Sequence, residues 1–152
     1  MAKTILVVDD KASVRTLVQD YLTAEGFRVV TADNGQNALF LARQQKPDLI
    51  LLDIMMPKMD GIQVCRELKR DPTLPFMPII LVTAKSESKD IVAGLEAGGD
   101  EYLTKPVDQA ALVARVKSML RMKALYDQVQ EQAARLETQT AQLSEWNRTL
   151  EQ

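Results

Sequence analysis

The sequence predicts a doubly wound α/β fold: five parallel strands in the order 2-1-3-4-5, each followed by a helix, with the last helix running on as a coiled coil. Three observations predict it. Short apolar runs rich in β-branched residues recur along the chain, stretches with helical spacing separate them, and after Pro106 the pattern becomes a seven-residue repeat. Strands that alternate with amphipathic helices imply βαβ units and a parallel sheet. Short continuous apolar runs suit strands covered on both faces.

The elements follow in order. Ile5–Val8 is the first strand and runs into Asp9-Asp10. The first helix occupies Lys11–Glu25, with Val14, Leu17, Val18, Tyr21 and Leu22 on one face, and Gly26 ends it. Phe27–Thr31 is the second strand; the helix after Gly35 carries Ala38, Leu39, Leu41 and Ala42. The third strand, Leu49–Leu52, delivers Asp53. Pro57 blocks helix in the loop beyond it, and Asp60 is placed to cap a helix that begins near Gly61. That helix buries Ile62, Val64, Cys65 and Leu68, and the proline-rich stretch RDPTLPFMP (residues 70–78) ends it. The fourth strand, Ile79–Val82, leads to Thr83. A helix bearing Ile91, Val92 and Leu95 then turns at Gly98-Gly99 into a weaker strand, Tyr102–Leu103, and on to Lys105-Pro106. Val113, Val116 and Leu120 begin the last helix.

From Leu112 onward there is no glycine or proline. Met122, Val129, Leu136, Leu143 and Leu150 recur every seven residues, and Met119, Tyr126, Ala133, Thr140 and Asn147 occupy the other seam position of a heptad. Continuous from Val107, this helix would be about 65–70 Å long. One compact domain cannot cover that length, so the distal part is expected to pair with a second copy, with Asn147 setting register. The plain alternative is a solvated amphipathic helix, and Ala, Thr and Asn in the seam weaken the pairing. The expected division is residues 1–122 for the α/β body and 123–152 for the helical extension.

Composition removes several functions. The chain has 152 residues, 46% hydrophobic and 26% charged, with net charge −2. That balance is globular and gives no broad basic face for nucleic acid. No apolar stretch reaches the length of a membrane span, and the N-terminal residues pass straight into a strand instead of a signal sequence. A single cysteine, Cys65, excludes disulfide scaffolds and cysteine zinc sites and fits a reducing cytoplasmic setting; it reads as an inert core residue, and the seven methionines as ordinary packing. There is no histidine. Serine–histidine and cysteine–histidine catalysis and histidine metal sites are therefore impossible.

In open α/β sheets the functional crevice lies at the carboxyl ends of the strands. Here those ends carry Asp9, Asp10, Asp53, Thr83 and Lys105. Each has an ordinary explanation alone. Asp9-Asp10 could be a helix-capping pair, Asp53 a polar strand terminus, Thr83 a β-branched strand residue, and Lys105 a solvated lysine. Convergence on one rim argues against all four at once. Clustered carboxylates repel unless a cation joins them, and magnesium takes oxygen ligands of this kind together with phosphate oxygens. A lysine and a hydroxyl opposite suit a phosphoryl group, which makes Asp53 a candidate nucleophile.

The segments VVDD, LLDIMMPKMDG, LVTA and LTKP, in this order, resemble the receiver domain of two-component response regulators over residues 3–122. The resemblance implies a flavodoxin-like fold in which Asp53 is the phosphoacceptor. It implies that Asp10 and Asp53 bind Mg2+ (or Mn2+) directly, with the Met55 carbonyl as a further ligand and Asp9 acting through water. Thr83 and Lys105 would contact phosphoryl oxygens, the Lys105–Pro106 peptide would be cis, and Tyr102 would be an aromatic switch that turns inward as Thr83 moves. A histidine kinase or histidine phosphotransfer protein would be the donor, supplying the histidine this chain lacks. The expected role is a cytoplasmic signalling switch, with no enzymatic turnover beyond self-phosphorylation and autodephosphorylation. Two departures from the family pattern are Lys58, where glycine is common, and Gly99, where alanine is usual; Met55 and Lys85 stand where the family tunes phosphoryl lifetime.

Rival readings fare worse. A haloacid-dehalogenase-type phosphatase needs an acid two residues beyond its aspartyl nucleophile, where Met55 stands. A Rossmann nucleotide binder needs a glycine-rich turn after the first strand, where Asp9-Asp10-Lys11-Ala12 stands. The output is expected to run through the fifth strand and the long helix. Ending in mid-heptad, the sequence reads as the front of a longer protein, resembling the linker to a nucleotide-cyclase-type output, or as a stand-alone dimeric receiver; no room remains for a helix-turn-helix.

Overall fold

Alternate residues of each strand point to opposite faces, and this builds two apolar cores around one sheet. The computed structural model describes residues 2–84 and 88–151. Its elements are β1 (Thr4–Val8), α1 (Ala12–Ala24), β2 (Arg28–Ala32), α2 (Gly35–Gln45), β3 (Leu49–Asp53), α3 (Gly61–Arg70), β4 (Ile79–Ala84), α4 (Ser88–Glu96), β5 (Glu101–Lys105) and α5 (Gln109–Glu151). All strand pairs are parallel, as the alternation of elements predicts, and they lie in the order β2-β1-β3-β4-β5. On one face Leu6, Ile50, Leu52 and Leu81 pack with Ala38, Val64 and Leu68 of α2 and α3. On the other, Ile5, Leu49, Leu51 and Ile80 pack with Val18, Leu22, Leu112 and Val116 of α1 and α5. Central β3 is buried along its whole length, which is why its sequence reads as an unbroken apolar run. Edge strand β5 fully buries only Leu103, so its apolar signal is weak although it spans five residues.

Helix starts follow local side-chain chemistry. Asp60 Oδ1 accepts from the Gln63 N–H at 2.9 Å, the cap expected at the start of α3, and Asn34 does the same for α2 through Asn37 at 2.8 Å. The Asp9-Asp10 pair is not a helix cap. The N-cap of α1 is Lys11, without a side-chain cap bond, while Asp9 Oδ1 holds the Lys11 N–H at 2.9 Å in the preceding turn.

Lys58 adopts φ +67°. This is the left-handed region, where a Cβ costs roughly 1–2 kcal/mol and glycine is at home, and it explains why glycine is common there. Lys58→Gly is expected to stabilise the fold by about 0.5–1 kcal/mol after the greater freedom of unfolded glycine is subtracted. Urea denaturation with an unchanged or lower midpoint would contradict this. Gly99 also has a packing reason: a Cβ there would meet Leu81 Cδ1 at 2.5 Å, so the leucine occupies the space an alanine methyl would take.

α5 has 43 residues, about 65 Å at 1.5 Å per residue, and begins two residues later than the expected Val107. Its first turns pack on the body through Leu112, Val116 and Met119. Contact continues one turn past the expected division at residue 122. Lys123 Nζ donates to the Phe76 carbonyl at 2.9 Å, and the Tyr126 and Phe76 rings stack with centroids 4.5 Å apart. Met122, expected on the paired stripe, is half-buried against the body instead. Beyond this point the helix is exposed. Among the described residues no helix is long and apolar enough to cross a membrane.

Candidate functional site

Parallel register brings the strand ends together. Val8 is level with Leu52, Asp53 with Val82, Thr83 with Thr104 and Ala84 with Lys105. Asp9, Asp53, Thr83 and Lys105 therefore meet on one rim, with Asp10 at its solvent edge. Among the described residues the buried polar side chains are Asp9 (3% exposed), Asp53 (2%) and Thr83 (1%), and all three belong to this rim. Burying a charge without full compensation is costly, so their concentration in one place makes this rim the candidate functional site.

The bonds made here are incomplete. Asp53 Oδ1 accepts from the Met55 N–H at 3.2 Å. Asp53 Oδ2 lies 3.4 Å from Lys105 Nζ, an ion pair without hydrogen-bond alignment. The ammonium sits nearer Asp9, at 3.2 Å from Oδ2. Arg15 Nη1 donates to the Asp9 carbonyl at 2.6 Å and ties α1 to the same corner. Among the described residues two buried side-chain polar atoms lack a hydrogen-bond partner, Asp53 Oδ2 and Thr83 Oγ1. Such atoms cost roughly 1–3 kcal/mol each and call for an explanation; here both belong to the rim that would receive a ligand.

Electrostatics agree. Burial and, next, the Asp9 charge push the Asp53 carboxyl up from 3.8 to about 6, although Lys105 and the Met55 N–H pull the other way. Burial works against the Lys105 charge, but Asp53 and Asp9 outweigh it and raise its pKa above the ordinary value. Asp9, Asp10 and Asp53 can bring carboxylate oxygens within 4.8 Å of one another. Three carboxylates face one ammonium, so the rim keeps an excess of negative charge. A divalent cation fits it: oxygen donors, an unpaired buried oxygen, and an exposed Asp10 open to solvent.

The response regulator receiver domain model covers residues 5–117. The chain belongs to the response regulator receiver domain family. The chain is 48% identical over 135 residues to the response regulator PleD of Caulobacter vibrioides, covering 88% of the chain and 30% of that protein. It is 50% identical over 121 residues to the alkaline phosphatase synthesis transcriptional regulatory protein PhoP of Bacillus subtilis, covering 80% and 50%. It therefore spans half or less of these relatives. Among solved structures, the receiver domain of the TMAO respiratory system response regulator TorR superposes with a TM-score of 0.72 at 38% identity, over 79% of this chain and 98% of that one. A CheY-like receiver domain protein from Methanospirillum hungatei JF-1 gives 0.76 at 29%, over 83% and 99%. Receiver domains of this family serve phosphorylation-dependent signalling and are phosphorylated by histidine kinases.

Within the receiver domain not every expected residue sits on the rim. Tyr102 is 37% exposed, level with Leu81 on β5, two residues back from the level of Thr83. Met55 is exposed, with its N–H on Asp53. The Lys105–Pro106 peptide is cis, as the resemblance implied. Lys85 lies outside the described residues. One residue that sequence reasoning treated only as a helix start contributes directly to the site. A Cβ on Gly61 would collide with the Asp53 carbonyl oxygen and lie 2.9 Å from Ile54 Cα. α3 therefore starts directly against the end of β3 that carries Asp53, and the Gly61 N–H bond to the Ile54 carbonyl at 3.0 Å closes the loop between them.

Proposed function

We propose that Asp53 accepts a phosphoryl group from the histidine of a histidine kinase or histidine phosphotransfer protein, and that the phosphorylated rim drives a conformational switch. The observation that carries this reading is the pair of unsatisfied buried atoms, Asp53 Oδ2 and Thr83 Oγ1, set beside Lys105 on an acidic rim. Asp53 Oδ2 forms the new P–O bond as the P–N bond to the donor imidazole breaks, and the imidazole leaves with the electron pair. Lys105 is held close enough to neutralise one phosphoryl oxygen, and the Thr83 hydroxyl supplies a donor for another. Asp9, Asp10, Asp53 and the Met55 carbonyl would hold Mg2+ (or Mn2+), which supplies charge neutralisation for the transferring phosphoryl group. Asp9 has a second duty here: its carboxylate anchors Lys105.

Movement of Thr83 toward the phosphoryl group would leave room for Tyr102 to turn inward from its half-exposed position. The change then passes along β5 into α5, whose extension pairs two chains. With Met55 in the place of a general acid, hydrolysis is confined to the aspartyl phosphate itself. Incubation of the chain with acetyl phosphate and magnesium should add one phosphoryl group by intact mass, and chelation or Asp53→Asn should abolish it. Labelling that persists in Asp53→Asn would overturn the assignment.

A further inference from the structure

Beyond the body, α5 carries an apolar stripe that no described residue of its own chain covers. Val129, Leu136, Leu143 and Leu150 are between 58% and 67% exposed and recur every seven residues. A straight helix turns every 3.6 residues, so a strict seven-residue stripe drifts by about 20° per heptad, and a left-handed coil of two helices removes that drift and keeps the stripe on one seam. The base of α5 is held differently. Tyr126 belongs to the same series as Ala133, Thr140 and Asn147, but its ring lies on Phe76 of the body, and Lys123 beside it bonds the Phe76 carbonyl. The body thus withdraws Tyr126 from the seam, which leaves Val129 onward for a partner.

Resting on the reading that the chain pairs through this helix, we infer that two copies pair in parallel and in register over Val129–Leu150. The polar seam residues decide the direction. In the parallel arrangement Asn147 meets Asn147 of the second copy and Thr140 meets Thr140, so carboxamide and hydroxyl find polar partners while the leucines meet leucines. Every antiparallel register sets the Ala133–Thr140–Asn147 series against the Val129–Leu136–Leu143–Leu150 series. Asn147 would then face an aliphatic side chain with its amide unsatisfied. The antiparallel register that sets Asn147 against Val129 would also match Leu150 with Tyr126, which Phe76 already holds. Beside the parallel seam, Gln132 lies against Glu137 of the second copy and Gln139 against Ser144, so no like charges oppose the pairing. Both bodies then sit at the same end of the rod, each fixed to it by its own Phe76–Tyr126 stack.

The test uses the full chain with cysteines introduced one at a time. Cys65 is buried, so mild oxidation reads the introduced thiol. Asn147→Cys and Val129→Cys should each form a disulfide-linked dimer alone, and an equilibrated mixture of the two should yield no product joining 129 to 147. In the antiparallel register that opposes these two positions, the two copies of residue 147 would be about 27 Å apart; the mixed product would then dominate and overturn the proposal while leaving the dimer intact. Other antiparallel registers would show as a dimeric mass with no product from either variant, which overturns it equally. Sedimentation of the unaltered chain as a monomer at high concentration would instead overturn the reading that the helix pairs at all.

Discussion

Asp53→Asn is expected to stabilise the metal-free protein by about 1–3 kcal/mol at pH 7. The native carboxyl titrates at about 6 instead of 3.8, and one unit corresponds to about 1.4 kcal/mol. Because the native state binds this proton more tightly than the unfolded chain, the sign is opposite to that of a salt-bridged carboxylate. Stability falls as pH rises from about 4 to 6, and the cost is then fully present. Partial loss of the Lys105 pairing offsets some of the gain, since Asp9 keeps its contact with the ammonium. The measurement is urea denaturation of both proteins in chelator at pH 7 and at pH 4.5. The gap between them should shrink toward acid, and taking the difference cancels groups titrating elsewhere in both proteins. A variant less stable than its parent at pH 7, or a gap independent of pH, would sink the account. Added magnesium should narrow the gap at pH 7, because a cation that binds the native acidic rim stabilises the parent by mass action.

Gly61→Ala should do the reverse and more widely. The added methyl would run into backbone, the Asp53 carbonyl and Ile54 Cα, and backbone cannot rotate out of the way as a side chain can. The end of β3 and the start of α3 must part, costing about 2–4 kcal/mol by analogy with severe overpacking. Asp53 would be displaced with them, and misplacement by about 1 Å can cost on the order of a hundredfold in rate. Acetyl-phosphate labelling should therefore slow at least about tenfold even at temperatures where the variant is fully folded. Gly26→Ala is the control. It faces open space at φ +88°, so backbone strain of roughly 1–2 kcal/mol is expected with labelling unchanged. Equal effects from the two variants would mean that Gly61 matters only for stability.

Asp53 and Gly61 differ in how far the sequence alone reveals their place. Asp53 was legible because its position follows from a local rule: an apolar run long enough for one buried strand, broken by a carboxylate, must place that carboxylate at the strand's open end. The same rule found Asp9; Thr83 and Lys105 were legible as the residues at the ends of the fourth and fifth strands, and Asp60 was legible as a cap because it reaches only three residues forward. Gly61 gave a weaker signal. An Asp-Gly pair marks a turn, but which backbone the glycine lies against depends on how α3 docks. The same limit applies to Asp9, read first as a possible helix cap: its pairing with Lys105 joins residues far apart in the chain. Lys58 showed only as a departure from a common glycine until its positive φ supplied the reason.

By itself the sequence determined the five strands and their helices, the acidic rim with its lysine and threonine, and the seven-residue stripe of the last helix. These depend on periodicity and on the nearest few neighbours. Only the tertiary structure decided that Lys105 leans toward Asp9, that Asp53 is buried deeply enough to hold its proton to about 6, that Gly61 wedges α3 against β3, and that the Tyr126 ring lies on Phe76. Each of these is a contact between distant segments, and its energy depends on docking geometry and desolvation that no local pattern encodes.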